Sequence, residues 1–103
     1  MKLVIATIIA ALLTAAPAQA DPTGAEATYI HRYSGAICQV IHNDPSEAGV
    51  TLTWQMIVND GWDGETAVDI INWSVHDYCP RYWTLLEAIG AEARGEGPLK
   101  RAV

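Results

Sequence analysis

The chain has 103 residues, room for one small domain. Half are hydrophobic, but unevenly: residues 1–20 hold 15 of them and residues 21–103 hold 37 of 83, ordinary for a globular domain and too rich for a disordered one. With Lys2 set aside, residues 21–103 carry twelve acidic and five basic side chains, a formal −7. Such a surface repels phosphate backbones and anionic lipid heads, which argues against a nucleic-acid partner and against a lipid surface.

Met1-Lys2 is a minimal positive start, and Leu3 to Ala16 is an uncharged apolar run of 14 residues broken by Pro17. Ala18-Gln19-Ala20 then supplies the small-x-small pattern of a signal-peptidase site, which places the cut between Ala20 and Asp21. As a helix the run spans roughly 21 Å, short of the roughly 30 Å of a bilayer core. No cysteine follows it to take a lipid, and no later stretch is long and apolar enough to span. The expected organisation is a signal peptide over 1–20, a secreted domain over 21–94 and a flexible tail over 95–103. After cleavage the domain has no membrane anchor.

Export changes how the two cysteines, Cys38 and Cys79, are read. In an oxidising compartment an even count points to disulfides, and two cysteines allow one pairing. Forty residues separate them, and chain entropy gives such a loop roughly 4 kcal/mol. The alternative, two free thiols serving a metal or catalysis, lacks a C-x-x-C pair or other ligand spacing.

Four helices follow in chain order. From about Gly24 to His42, with Thr23 and Glu26 as a capping box, Tyr29, Ile30, Tyr33, Ala36, Ile37, Val40 and Ile41 share one broad apolar face. Cys38 sits at its edge, and Asn43-Asp44-Pro45 ends the helix. From about Glu47 to Asp60, Val50, Trp54, Ile57 and Val58 share a face. Val50 to Trp54 also alternates like a strand, but such a strand would have no partner, so helix is preferred. Asp63 caps the third helix, with Glu65 in its first turn. Ala67, Ile70, Ile71, Ser74, Val75 and Tyr78 make its stripe, and Asp69, Asn72 and His76 its wet side. Cys79 closes it. Pro80 can open a fourth helix in which Tyr82, Leu85, Leu86, Ile89 and Ala93 align. The fold class is therefore all-α, a small bundle of three to four helices stapled by one disulfide.

Gly35-Ala36-Ile37-Cys38 late in the first helix and Tyr78-Cys79-Pro80 at the end of the third resemble the small secreted actinobacterial family named domain of unknown function 732. The resemblance covers about Ala25 to Arg81, and the amphipathic segment from Tyr82 to Ala93 departs from it. It implies helices, export and a Cys38–Cys79 bridge, and no assigned activity.

Reactive chemistry is sparse. Asn59 to Glu65 suggests a calcium loop, but with Gly64 as the turn glycine the third and twelfth positions are Gly61 and Ile70, so two ligands fail. His31 and His42, eleven residues apart, lie roughly 16 Å from each other along one helix and cannot share a metal. His76 could meet His31 only through tertiary folding. No tyrosine stands four residues from a histidine to hold a haem iron. Ser34, Ser46 and Ser74 stand in no nucleophile turn, and no glycosidase carboxylate pair is identifiable. Asn72-Trp73-Ser74 matches a glycosylation sequon but lies within a helix of a chain with a bacterial address. The expectation is a non-enzyme with no catalytic residue, metal or cofactor. Four tryptophans and no phenylalanine are the compositional oddity. Trp54 aligns with a core face, whereas Trp62, Trp73 and Trp83 lie off the stripes and form a candidate interaction surface. Two functions remain: an extracellular or envelope protein that engages a protein or envelope partner through these aromatics, or a carrier of a small apolar ligand between its helices. Exported material should begin at Asp21 on N-terminal sequencing; Met1 retained in a membrane fraction would refute the signal peptide.

Overall fold

The computed structural model describes residues 24–95. These form α1 (Gly24–Asn43), α2 (Glu47–Asn59), α3 (Gly64–Tyr78), a 3₁₀ turn (Pro80–Tyr82) and α4 (Trp83–Ala93), with no strand among the described residues. The all-α bundle read from the sequence is thus the fold; the bounds of its first three helices fall within a residue or two of those expected, while the fourth, expected from Pro80, starts at Trp83 after the 3₁₀ turn. The signal peptide with its Ala20–Asp21 cut, Thr23 and residues 96–103 of the tail lie outside the described residues.

The ambiguous stretch Thr51–Trp54 is helical, and local chemistry explains why. Ser46 caps α2, its hydroxyl accepting from the Gly49 amide, and donates in turn to the Asp44 carboxylate at 2.6 Å. This cap leaves α2 running past the strand-like alternation. Thr53, buried, turns its hydroxyl onto the Gly49 carbonyl one turn back, at 2.9 Å, so a β-branched polar residue is satisfied within a helix. Gly49 is required at its position: a Cβ there would lie 1.8 Å from the Asp44 carbonyl oxygen.

Trp54 fixes how α2 meets α3. Its indole N–H donates to the Gly64 carbonyl at 2.9 Å, and a Cβ on Gly64 would stand 3.1 Å from its ring. Asp63 caps α3 as read from the sequence, accepting from the Thr66 amide at 2.8 Å and the Thr66 hydroxyl at 2.9 Å.

α3 packs against α1, α2, the 3₁₀ turn and α4. It is buried almost all round, with every residue from Ile70 to Val75 enclosed. That central position overturns two assignments made on the assumption that each helix hides one stripe, and three further residues also depart from their expected places. Asn72, placed on the wet side, is fully buried. Trp73, placed on a candidate interaction surface, is only 9% exposed. Tyr78, placed in the stripe, is 49% exposed, because α3 ends there and its last turn projects past its neighbours. On α1, Tyr33 and Ala36 lie at the rim outside the buried line of Ile30, Ser34, Ile37 and Ile41.

Cys38 and Cys79 form the disulfide, with 6.1 Å between their Cα atoms. Cys79 is buried at the C-cap of α3, and Cys38 is half-buried on α1. Pro80 at the first position of the 3₁₀ turn redirects the chain into α4, whose Leu86 and Ile89 close the core. Cys79→Ala should lower the unfolding free energy by about 2–5 kcal/mol, the usual loss for a small stapled domain. Equilibrium denaturation checks this, and a variant as stable as the oxidised parent would remove the bridge from the account of stability.

The cleft between α1 and α3

Three contacts mark the line along which α1 meets α3. Glu26 lies near enough to Asp69 for that carboxyl to raise its proton affinity. His31 Nδ1 lies 3.4 Å from the Tyr78 hydroxyl. Cys38 is bonded to Cys79. The partners advance in the same direction on both helices, so α1 and α3 run parallel in sense, which the descending α2 makes possible. From first contact to last the seam covers twelve residues of α1 and ten positions along α3, about 18 Å and 15 Å of helix.

Between its ends the seam opens into a cleft of about 540 Å³ lined by Ala27, Ile30, His31, Trp73, His76, Asp77 and Tyr78. Ala27 and Ile30 are its aliphatic part, and four ring-bearing side chains make most of the rest. Trp73 meets the His76 ring edge-on at 5.7 Å, and His76 meets Trp83 the same way at 5.8 Å. The imidazole is thereby held between two indoles. Its Nδ1 lies 2.9 Å from the Asp77 carboxylate. Both of those groups are about half exposed, so their pairing adds little stability. Trp73 Nε1 and Ser74 Oγ are shielded without a hydrogen-bond partner, a costly condition that native structures keep rare.

His31 and His76, 45 residues apart in the chain, thus share one cleft, and no spacing rule could have found them. The helical i, i+4 search for a tyrosine–histidine pair also missed two that form between elements: His31 with Tyr78, and His42 with Tyr82 of the 3₁₀ turn. The candidate aromatic surface divides. Trp62 is half-buried and packs edge-on against Tyr29 at 5.5 Å. Trp73 is a wall of the cleft, and half-buried Trp83 backs His76 from α4. Large apolar side chains that do face outward are Leu52 and Met56, one turn apart on α2, together with Tyr33 and Tyr78.

The closed end of the seam is electrostatically unusual. Burial, the hydrogen bond to Asp69 and the charges of Asp69 and Asp63 raise the Glu26 carboxyl from an ordinary 4.5 to about 7. Glu26 Oε1 and Asp69 Oδ1 are shielded from solvent without a hydrogen-bond partner. A carboxyl with acidic neighbours and part of its hydration removed favours its protonated form. Nearby, burial and the Asp60 carboxylate push the Tyr29 phenol upward, and its hydroxyl donates to Asp60 at 2.8 Å. Asp63 is shifted the other way, its carboxylate held below the usual range by the Thr66 amide and hydroxyl.

Among the described residues no group of three or more His, Cys, Asp or Glu side chains is placed to hold a metal ion, and no helix is long and apolar enough to cross a membrane. Compared with family models, curated proteins and solved structures, the chain matches none.

These shifts set a pH profile. A carboxyl raised in the folded state binds a proton that the unfolded chain gives up, so the Glu26 contribution is complete below about pH 4.5 and fades as pH rises through about 7. Asp63 contributes above the usual carboxylate range and is lost on stronger acidification. Thermal melts should therefore show the highest midpoint in mild acid, falling toward pH 8 and again toward pH 3. A midpoint that rises steadily from pH 5.5 to 8 would refute the carboxyl pair.

Proposed function

We propose that the protein is an exported, non-catalytic carrier that holds a small planar aromatic molecule in the α1–α3 cleft. The observation that carries this reading is the cleft itself. Its volume lies within the range of small-molecule sites, and it combines an aliphatic part with a few convergent polar groups, as such sites do. Ring edges of Trp73 and His76 with the exposed Tyr78 suit an aromatic guest, which gains from edge-to-face contact. The tips of His31 and Tyr78 offer hydrogen bonds to a polar substituent. The disulfide at one end of the seam keeps the walls in place, which lowers the ordering cost of binding.

The compartment is part of the same proposal. The apolar run before Ala18-Gln19-Ala20 and a bridge suited to an oxidising environment both favour secretion. Kinship with domain of unknown function 732, and with it an actinobacterial source, rests on Gly35-x-x-Cys38 and Tyr78-Cys79-Pro80.

A second reading keeps the protein as an interaction module for a protein or envelope partner. Leu52 and Met56 favour it, 51% and 37% exposed on one side of α2. The tryptophans favour it less, because they spend their rings on contacts within the fold.

N-phenyl-1-naphthylamine, an uncharged fluorescent aromatic, tests the carrier reading on the oxidised protein at pH 5.5. Its emission should rise to saturation at one probe per chain. Tyr78→Ala and His31→Ala, at exposed positions that the core does not need, should each weaken binding by about two- to tenfold. Absence of saturable binding, or binding unchanged in both variants, would overturn the carrier.

A further inference from the structure

The α1–α3 cleft lies against the end of α3, and that place carries a sign. Trp73, His76, Asp77 and Tyr78 line it from the C-terminal half of the helix, Asp77 and Tyr78 being the last two residues. The final carbonyls of a helix are the negative end of its dipole and favour a cation nearby. Asp77 adds a carboxylate at the same place. Its Oδ1 lies 2.9 Å from the His76 ring, and Oδ2 is left for another partner. Among the described residues no lysine or arginine lines the cleft. Arg32 lies over the Tyr33 ring at 5.6 Å and Arg81 over the Tyr82 ring at 5.2 Å, both rings outside the lining. Arg94 stands at the C-cap of α4. Residues 24–95 together hold ten acidic side chains and three arginines, so the long-range field draws cations as well.

We propose that the cleft selects cations, and that its guest is an aromatic ammonium whose ring lies against Ala27, Ile30 and Trp73 and whose charge meets Asp77 and the Tyr78 ring. The proposal rests on the reading of the cleft as a ligand site and adds the charge of the guest. Tyr78, about half exposed, offers an aromatic ring to that charge. A neutral guest of the same shape gains the ring contacts alone. An anion has to approach Asp77 and the carbonyl end of α3, with no lysine or arginine in the lining to offset them. His31 and His76 are the other titratable groups of the lining beside Tyr78. At pH 8 imidazole is ordinarily neutral, so a comparison made there leaves charge selection to Asp77 and the end of the helix.

Three compounds with one ring and one tetrahedral head isolate charge from shape: phenyltrimethylammonium, tert-butylbenzene and benzenesulfonate. Each is set to displace N-phenyl-1-naphthylamine from the oxidised protein at pH 8. Phenyltrimethylammonium should do so at about three- to tenfold lower concentration than tert-butylbenzene, as a partly exposed carboxylate and one ring allow, and benzenesulfonate should be the weakest. In Asp77→Asn the gap between cation and neutral compound should fall to about twofold or less, with binding of the uncharged probe unchanged. Glu47→Gln, in the first turn of α2 and outside the lining, makes the same change in net charge and should keep the gap. Both positions are exposed, so neither variant endangers the fold. If the probe binds but wild type shows no gap, or the gap survives Asp77→Asn, or Glu47→Gln narrows it as much, cation selection is wrong and the carrier stands. If the probe never binds, amide shifts on titration with phenyltrimethylammonium decide. Shifts over residues 73–78 that Asp77→Asn abolishes uphold a cation site while the reading drawn from neutral aromatics fails, and no shifts there overturn both.

Discussion

The bond between Cys38 and Cys79 is the constraint on which the rest of the architecture depends. It ties the penultimate turn of α1 to the residue that ends α3, and so holds two helices separated by a third in contact near their C-terminal ends. α2 must then descend between them in sequence, which puts its capped start at the Asp44–Gly49 turn and its exit beside Trp62. With only about 4–12 kcal/mol of net stability to be expected of a domain this size, a staple of roughly 4 kcal/mol decides whether α1 remains docked. Because Cys79 is also the point where the chain turns through Pro80 into α4, the same bond positions the helix whose Leu86 and Ile89 close the core.

Making α3 the hub determines where the aromatic side chains go. A helix contacted on several sides has no free face for tryptophan, so Trp73 is drawn inward and Trp83 reaches back across from α4 to His76. Trp54 is spent on joining α2 to the first residue of α3. The polar groups caught on α3, Asn72, Ser74 and the Trp73 indole, are enclosed for the same topological reason. Where the hub helix runs out, its last side chain, Tyr78, emerges into solvent and becomes a rim of the cleft. Enclosure in the middle and exposure at the tip are two consequences of one placement.

How much of this was legible in the sequence follows from which interactions are local. Asp63 as a cap, the break at Asn43-Asp44-Pro45 and the restart after Pro80 are decided within a few residues, and the sequence carries them openly. The disulfide was legible because two cysteines allow one pairing. Periodicity located the buried lines of α1 and α2 and, on α3, the stripe from Ala67 to Val75, but it failed on the other side of α3, since a wheel assumes one buried face and cannot count how many neighbours a helix has. Asn72 and Trp73 were misplaced on that ground alone. The cleft was beyond any spacing argument: His31 and Tyr78 stand 47 residues apart and meet only because the bridge aligns their helices. Glu26 reads as a capping-box acid and Asp69 as a wet-side acid, and nothing in their spacing predicts that Asp69 raises the proton affinity of Glu26 across the seam.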